Sequence, residues 1–227
     1  GGRGAISAGD VNGDGRPDLL VAAPLDEAGG NDSGTVSLLY GTVSGFGQSI
    51  SSVADMQVRG QSGDWLGTRL AADDFDGDGF TDLAISAPYN DTGANRAGLV
   101  AIFSGGTSLS GVYSLSSADG LISGTVANTE LGWSMAAVGD PNHDGYPDLG
   151  SSLIYDDTNA TDAGTGVIFS GSRLTGSRTW LQASFLVVHG LSADDRFGYD
   201  VAGIGDVSGD GIDDILFGGY VSDLGGT

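Results

Sequence analysis

The chain has 227 residues, 39% of them hydrophobic, no cysteine, and a formal charge of −22 from 30 acidic against 8 basic residues. Such apolar content can build a sizeable core in one large domain or two small ones, while the missing cysteine removes disulfides, thiol chemistry and Cys-ligated zinc. The charge excludes a positive, phosphate-tracking surface, so cations rather than nucleic acid are the expected partners.

No run of eighteen apolar residues exists, so no membrane-spanning helix is expected in this segment. The opening "GGRGAISAGD" has neither an initiator Met nor a charged and apolar leader, and a mature chain or a fragment is expected. All eight basic residues are Arg, and the acids are 28 Asp against 2 Glu. An acidic coat made for solubility or high salt would use Glu as freely as Asp, so the bias points to loops and ligands. Asp is also a turn former, and a halophilic origin stays open beside the metal reading.

In chain order, "GAISAGD" runs into the acidic loop "DVNGDGRPD" (10–18), followed by "DLLVAAP", a Gly/Asn/Asp loop, "GTVSLLYG" and "ADMQVRG". The same order returns as "LGTRLAADD", "DFDGDGFTD" (74–82), "DLAISAP", "GLVAIFSG" and "DGLISG". A third copy reads "LGWSMAAVGD", "DPNHDGYPD" (140–148), "DLGSSLI", "GTGVIFSG" and "SFLVVHG". A fourth begins with "FGYDVAGIGD", "DVSGDGIDD" (206–214) and "DILFGGY". The leading aspartates, Asp10, Asp74, Asp140 and Asp206, are spaced 64, 66 and 66 residues apart, so a whole structural unit repeats.

Each unit holds four short β-branched or aromatic runs bounded by turn residues, the pattern of strands. Glycine interrupts nearly every window long enough for a helix. The fold expected is all-β. Four strands per unit of about 65 residues is the arrangement of a β-propeller blade, which buries its faces by stacking on its neighbours.

The FG or LG pair, the small-residue strand, the DxDxDG-type loop and then "DLLVAAP" resemble the FG-GAP repeat of the integrin alpha-subunit propeller and its bacterial relatives. The resemblance covers the chain in four copies; the GAP half is imperfect, with "AAP" and "SAP" in the first two units and "SSL" and "GGY" in the last two. It implies four-stranded antiparallel blades in one partial propeller over 1–227, with units 1–65, 66–130, 131–196 and an incomplete 197–227. That makes about three and a half blades, half of the seven of integrin-like propellers. A fragment is expected, or a piece completed by further repeats, a second copy or another subunit, since open sheet edges are an aggregation liability. A small closed ring is the alternative.

Oxygens at positions 1, 3 and 5 of such a loop can face one centre when Gly at position 6 permits a bend, with a carbonyl from position 7 and a carboxylate from position 9 completing the cage. Hard oxygen donors suit Ca²⁺. An EF-hand starts alike but ends with Glu at position 12 between helices, whereas here the last acid is at 9 and strands flank the loop. The resemblance implies four ligand sets. The first is Asp10, Asn12, Asp14 and Asp18 with the Arg16 carbonyl; the second is Asp74, Asp76, Asp78 and Asp82 with that of Phe80. The third is Asp140, Asn142, Asp144 and Asp148 with Tyr146, and the fourth Asp206, Ser208, Asp210 and Asp214 with Ile212. Gly15, Gly79, Gly145 and Gly211 hold the bends. The second set carries four charges and is expected to bind most tightly; Ser208 weakens the fourth. The opposing reading is an Asx-turn hairpin needing no ion, against which stands the mutual repulsion of the carboxylates.

His143, at position 4 of the third loop, and His189, at a strand end, suggest no Ser/His/Asp or Cys/His triad. A glycosidase-type carboxylate pair has little free acid to draw on, because most carboxylates belong to the loops. Sequons at Asn31, Asn90 and Asn159 are read as ordinary loop composition. Trp65, Trp133 and Trp180 could form a carbohydrate platform, but Trp65 and Trp133 flank Leu-Gly pairs and are assigned to packing between blades. The expectation is a secreted or cell-surface, Ca²⁺-binding, non-catalytic module for adhesion, recognition or surface assembly, with a protein or glycan ligand. The alternative is an accessory propeller of a secreted hydrolase or polysaccharide lyase.

Overall fold

In a computed structural model, residues 4–41, 49–107 and 109–221 are described. The first sheet is a meander of β1 (Ala5–Gly9), β2 (Asp18–Ala23), β3 (Thr35–Leu39) and β4 (Met56–Arg59), with the one-turn α1 (Ile50–Val53) before its last strand. The second contains β5 (Leu70–Asp73), β6 (Asp82–Ala87) and β7 (Leu99–Phe103). The chain then passes through β8 (Gly111–Ser114) and a 3-10 turn before β9 (Gly120–Ser123) closes that meander. The third has β10 (Met135–Ala137), β11 (Leu149–Leu153) and β12 (Thr165–Phe169). It passes through β13 (Gly176–Thr179) and the one-turn α2 (Trp180–Ala183), then ends with β14 (Ser184–His189). A hairpin of β15 (Asp200–Gly205) and β16 (Asp214–Gly218) follows. These are propeller blades, three and a half of them among the described residues; the end of the quoted fourth unit, 222–227, lies outside those residues.

Two strands were not anticipated. β8, from the connector inside the second unit, pairs in parallel with β4 of the first blade, Met56 opposite Gly111 through Arg59 opposite Ser114. β13, from the third unit, does the same to β9, Gly120 opposite Gly176 through Ser123 opposite Thr179. The first two blades are therefore five-stranded, each extended by its successor. The residue after each added strand drives into the core between the two blades: Leu115 joins the cluster of Leu20, Leu38, Leu83, Ile85 and Phe103. Trp180 joins that of Val100, Ile122, Leu149, Val167 and Phe169.

Burial follows stacking. Every residue of β3, β6, β7, β11 and β12 is buried, these being the inner strands of their sheets. β2 of the first blade alternates toward exposure, with Leu19 and Ala23 open. Burying a Leu or Phe side chain is worth about 1.5–3 kcal/mol, so the stacked faces supply most of the stabilisation.

A glycine ahead of each third strand sets the distance between blades. Gly34, Gly98 and Gly164 have φ of +78°, +85° and +79°, and a Cβ there would overlap the backbone of Leu66, Leu131 and Phe197. Across that close approach the N–H groups of Leu66, Leu131 and Phe197 donate to the carbonyls of Ser33, Ala97 and Ala163 at 3.1, 2.9 and 2.8 Å. Those three are the L or F of the LG and FG pairs, so the motif is a blade-to-blade clasp.

Candidate metal centres

The acidic loops join the first two strands of each unit. Their shape comes from Asx turns and left-handed glycines. Position 6 has φ of +81°, +92°, +89° and +86° at Gly15, Gly79, Gly145 and Gly211. Position 4 is also left-handed, at Gly13, Gly77, His143 and Gly209. His143 (φ +56°) is thus a bulkier residue in a glycine conformation.

Side-chain oxygens fold the loops inward. Position 1 accepts the N–H of position 6: Gly15 to Asp10 at 2.8 Å, Gly79 to Asp74 at 3.0 Å, Gly145 to Asp140 at 2.9 Å and Gly211 to Asp206 at 2.8 Å. Position 5 accepts the N–H of position 7, from Arg16, Phe80, Tyr146 and Ile212 to Asp14, Asp78, Asp144 and Asp210 at 2.9–3.1 Å. Position 3 varies. Asn12 and Asn142 accept the position-5 N–H, Asp76 does the same, and Ser208 leans on Asp206 at 3.5 Å.

Position 9 pins the base of the loop. In the first two loops one oxygen takes the N–H of position 2, Val11 to Asp18 and Phe75 to Asp82. The other takes the N–H of the glycine two residues beyond the third strand, Gly41 and Gly105, both at 2.8 Å. Asp148 holds Gly171 in the same way at 3.0 Å and takes the Asn142 amide at 2.8 Å. Asp214 receives the N–H groups of Val207 and Ser208. The sequence did not flag these glycine donors, although "YG" and "SG" close every third strand, nor the Ser170 hydroxyl, which donates to Asp144 at 2.8 Å.

Among the described residues, Asp74, Asp76 and Asp78 bring carboxylate oxygens within 4.8 Å of one another, a set that could hold a metal ion. Asp82 lies outside that trio, at the base. At an effective dielectric near 20, each like-charge pair at that separation repels by about 3 kcal/mol before screening. Burial raises Asp76 above the usual carboxylate range and pushes Asp82 up to about 6 and Asp148 up to about 7. Asp74 Oδ1 is buried without a hydrogen-bond partner. An all-oxygen set with an orphaned carboxylate oxygen and repelling charges fits a hard divalent cation.

The other candidates differ in their surroundings. His189 Nδ1 lies 2.7 Å from Thr165 Oγ1, which donates to Asp156, so the hydroxyl sits between acid and imidazole and is fully buried. That order ties the second-to-third-strand loop to β14 and supplies no accessible nucleophile. Asn90 is buried and donates to Asp64 at 2.9 Å, while Asn31 and Asn159 are exposed. Trp180 is core, its Nε1 donating to Thr125 Oγ1 at 3.2 Å. Trp65 and Trp133 are half-buried and border a cavity of about 340 Å³ with Pro24, Leu25 and Thr68; Trp65 meets Tyr89 edge-on at 4.7 Å. Glu130, given no role by the sequence, is buried with one oxygen on Arg96 at 2.7 Å and the other without a partner. Burial pushes it up to about 7 against the opposing pull of Arg96.

Comparison with known proteins agrees with this architecture. The FG-GAP repeat model matches residues 3–39 and 66–103. Integrin alpha-V of Gallus gallus is 32% identical over 151 residues, covering 64% of this chain and 14% of the relative. Integrin alpha-PS2 of Drosophila melanogaster is 29% identical over 227 residues, covering 96% and 15%. The phosphatidylinositol-glycan-specific phospholipase D of Mus musculus is 38% identical over 101 residues, covering 44% and 12%. The chain thus spans about a seventh or less of the length of these relatives. Among solved structures, the Bacillus licheniformis rhamnogalacturonan lyase PL11 and the exotype rhamnogalacturonan lyase YesX superpose with TM-scores of 0.52 and 0.54 at 15% identity. Each match covers 95% of this chain, and 39% and 38% of the respective lyase, a likeness of fold. The clasp motif, the repeat matches and the integrin alpha relatives lead to one assignment: residues 3–39 and 66–103 of this chain are FG-GAP repeats, in an arrangement similar to that of integrin alpha subunits.

Proposed function

We propose that the chain is a calcium-stabilised, non-catalytic propeller module for recognition, adhesion or assembly at a cell surface, organised as units 1–65, 66–130, 131–196 and 197–227. The observation that carries the calcium reading is the Asp74, Asp76, Asp78 trio with its orphaned Asp74 oxygen. The ligands would be Asp74, Asp76, Asp78, Asp82 and the Phe80 carbonyl in the second loop, with the corresponding sets from Asp10, Asp140 and Asp206 in the others. Asp82, Asp18 and Asp148 would serve twice, accepting backbone N–H groups while facing the ion. The four-charge second loop would fill first and the Ser208 loop last.

Bound calcium would neutralise the crowded carboxylates and lock each first-to-second-strand hairpin. Extracellular calcium modules bind with dissociation constants of about 10⁻⁴–10⁻³ M. At about ten times that constant, each filled site adds roughly 1.4 kcal/mol to folding. Likeness to the integrin alpha relatives supports extracellular placement, and the ligand we propose is a protein or a glycan. A second reading, an accessory propeller of a secreted hydrolase or lyase, is favoured by the fold shared with the two rhamnogalacturonan lyases and by the phospholipase D match.

Calorimetric titration with calcium tests the site assignment. The wild-type chain should take up more than one ion, and Asp76→Asn should weaken the tightest site at least tenfold. Identical isotherms for the two proteins would reject the assignment. Incubation of the chain with pectic polysaccharide, followed by ultraviolet absorbance for unsaturated products, tests the non-catalytic reading common to both: the module alone should release none, and release would reject it.

A further inference from the structure

The acidic loops interlock, each later loop reaching back to the one before it. Gly13 and Gly77, at position 4 of the first two loops, face the rings of Phe80 and Tyr146, at position 7 of the next loop; a Cβ on either glycine would crowd the ring. Position 8 of the next loop reaches the residue just ahead of position 1. A Cβ on Gly9 would overlap the Thr81 hydroxyl, and one on Gly139 the Asp213 carboxylate.

The third-to-fourth contact differs from the first in chemistry. Half-buried Asp213 accepts the N–H of Asp140, the first residue of the third ligand set, at 3.1 Å from 73 residues along the chain. In the second loop the equivalent N–H, of Asp74, is taken at 3.0 Å by the adjacent Asp73, and the next loop offers Pro147 at position 8. In the first, Gly9 faces Thr81, whose N–H donates to the Asp10 carbonyl at 3.2 Å. An acid that pins position 1 thus comes from the same unit in the second loop, from the next unit in the third, and from neither side in the first.

From this cross-blade bond we propose that Asp213 is a positioning residue for the third ion site. It fixes the backbone of Asp140 from the following blade, and with it the carboxylate that accepts the Gly145 N–H. The proposal rests on the calcium reading of the loops and goes beyond it, because the third site is then completed by a residue of the fourth loop that belongs to no ligand set. A ligand held in place before the ion arrives has less freedom to lose on binding, so the bond tightens the site. The added negative charge of Asp213 would also attract a cation. Replacing the carboxylate by an amide separates the two effects, since Asn keeps a carbonyl acceptor and loses the charge.

Calcium titration followed by amide NMR tests the assignment site by site, because the N–H groups of Gly15, Gly79 and Gly145 each bond the first carboxylate of their own loop. Asp213→Thr gives the third junction the residue found at the first. It should raise the calcium concentration at the Gly145 midpoint by about tenfold, as expected for losing a hydrogen bond to a charged group. Gly15 and Gly79 should stay within about twofold of the wild-type chain, which separates loss of one site from loss of the fold. Asp213→Asn should leave the Gly145 midpoint within about twofold, because the acceptor is kept. Two outcomes would overturn the proposal and leave the calcium reading standing: an unchanged Gly145 midpoint in Asp213→Thr, or Asp213→Asn as impaired as Asp213→Thr, which would assign the effect to charge. Glycine amides that ignore calcium in the wild-type chain would overturn both.

Discussion

Glu130 has a carboxylate that is 3% exposed, with one oxygen on Arg96 and the other without a partner. Its native pKa of about 7 lies above the ordinary 4.5, so the folded state holds this proton at a pH where the unfolded chain has released it. The stabilisation is therefore complete below about pH 4.5 and fades as pH rises through 7, by up to about 3 kcal/mol. Glu130→Gln should flatten that part of the stability profile, read by urea unfolding at pH 5 and pH 8 in fixed calcium; an unchanged pH difference would show that Glu130 is not its source. His143 is a second local test. Its counterparts Gly13, Gly77 and Gly209 share its left-handed backbone, so His143→Gly should stabilise by about 0.5–1 kcal/mol in the same assay, since an L side chain is strained there.

The elements differ in how far the sequence reveals them. The acidic loops and their flanking strands were legible because four copies at a near-constant spacing turn a weak turn signal into a pattern. β8 and β13 were not, because "GVYS" and "GSRT" are too short and mixed in character, and their pairing with a preceding unit leaves no local periodicity. Trp180 was hidden for the same reason: its burial depends on a neighbouring blade. Asp82 was legible as a loop acid, yet its second task of holding the Gly105 N–H comes from 23 residues away. Two substitutions measure these contacts. Trp180→Ala should cost about 3–5 kcal/mol by urea unfolding, as expected for a large buried aromatic. Gly34→Ala should cost at least about 2 kcal/mol, because it adds both a left-handed backbone penalty and an overlap with the Leu66 backbone.

At the scale of the molecule, stacked blades bury the sheets and the acidic loops cap the hairpins that feed them. The loops touch in series: the N–H of Thr81 donates to the Asp10 carbonyl, and that of Asp140 to the Asp213 carboxylate at 3.1 Å. Ions in one loop would thus steady the next, in a chain whose net charge of −22 otherwise opposes compaction. Thermal unfolding at matched ionic strength, in about 10 mM calcium and in excess chelator, measures this directly, at a concentration roughly ten times the weaker dissociation constants of extracellular sites. With several sites filled, the midpoint should rise by roughly 10 °C or more, at about 2–4 °C per kcal/mol for a chain of this size. The same midpoint in calcium and in chelator would contradict the account.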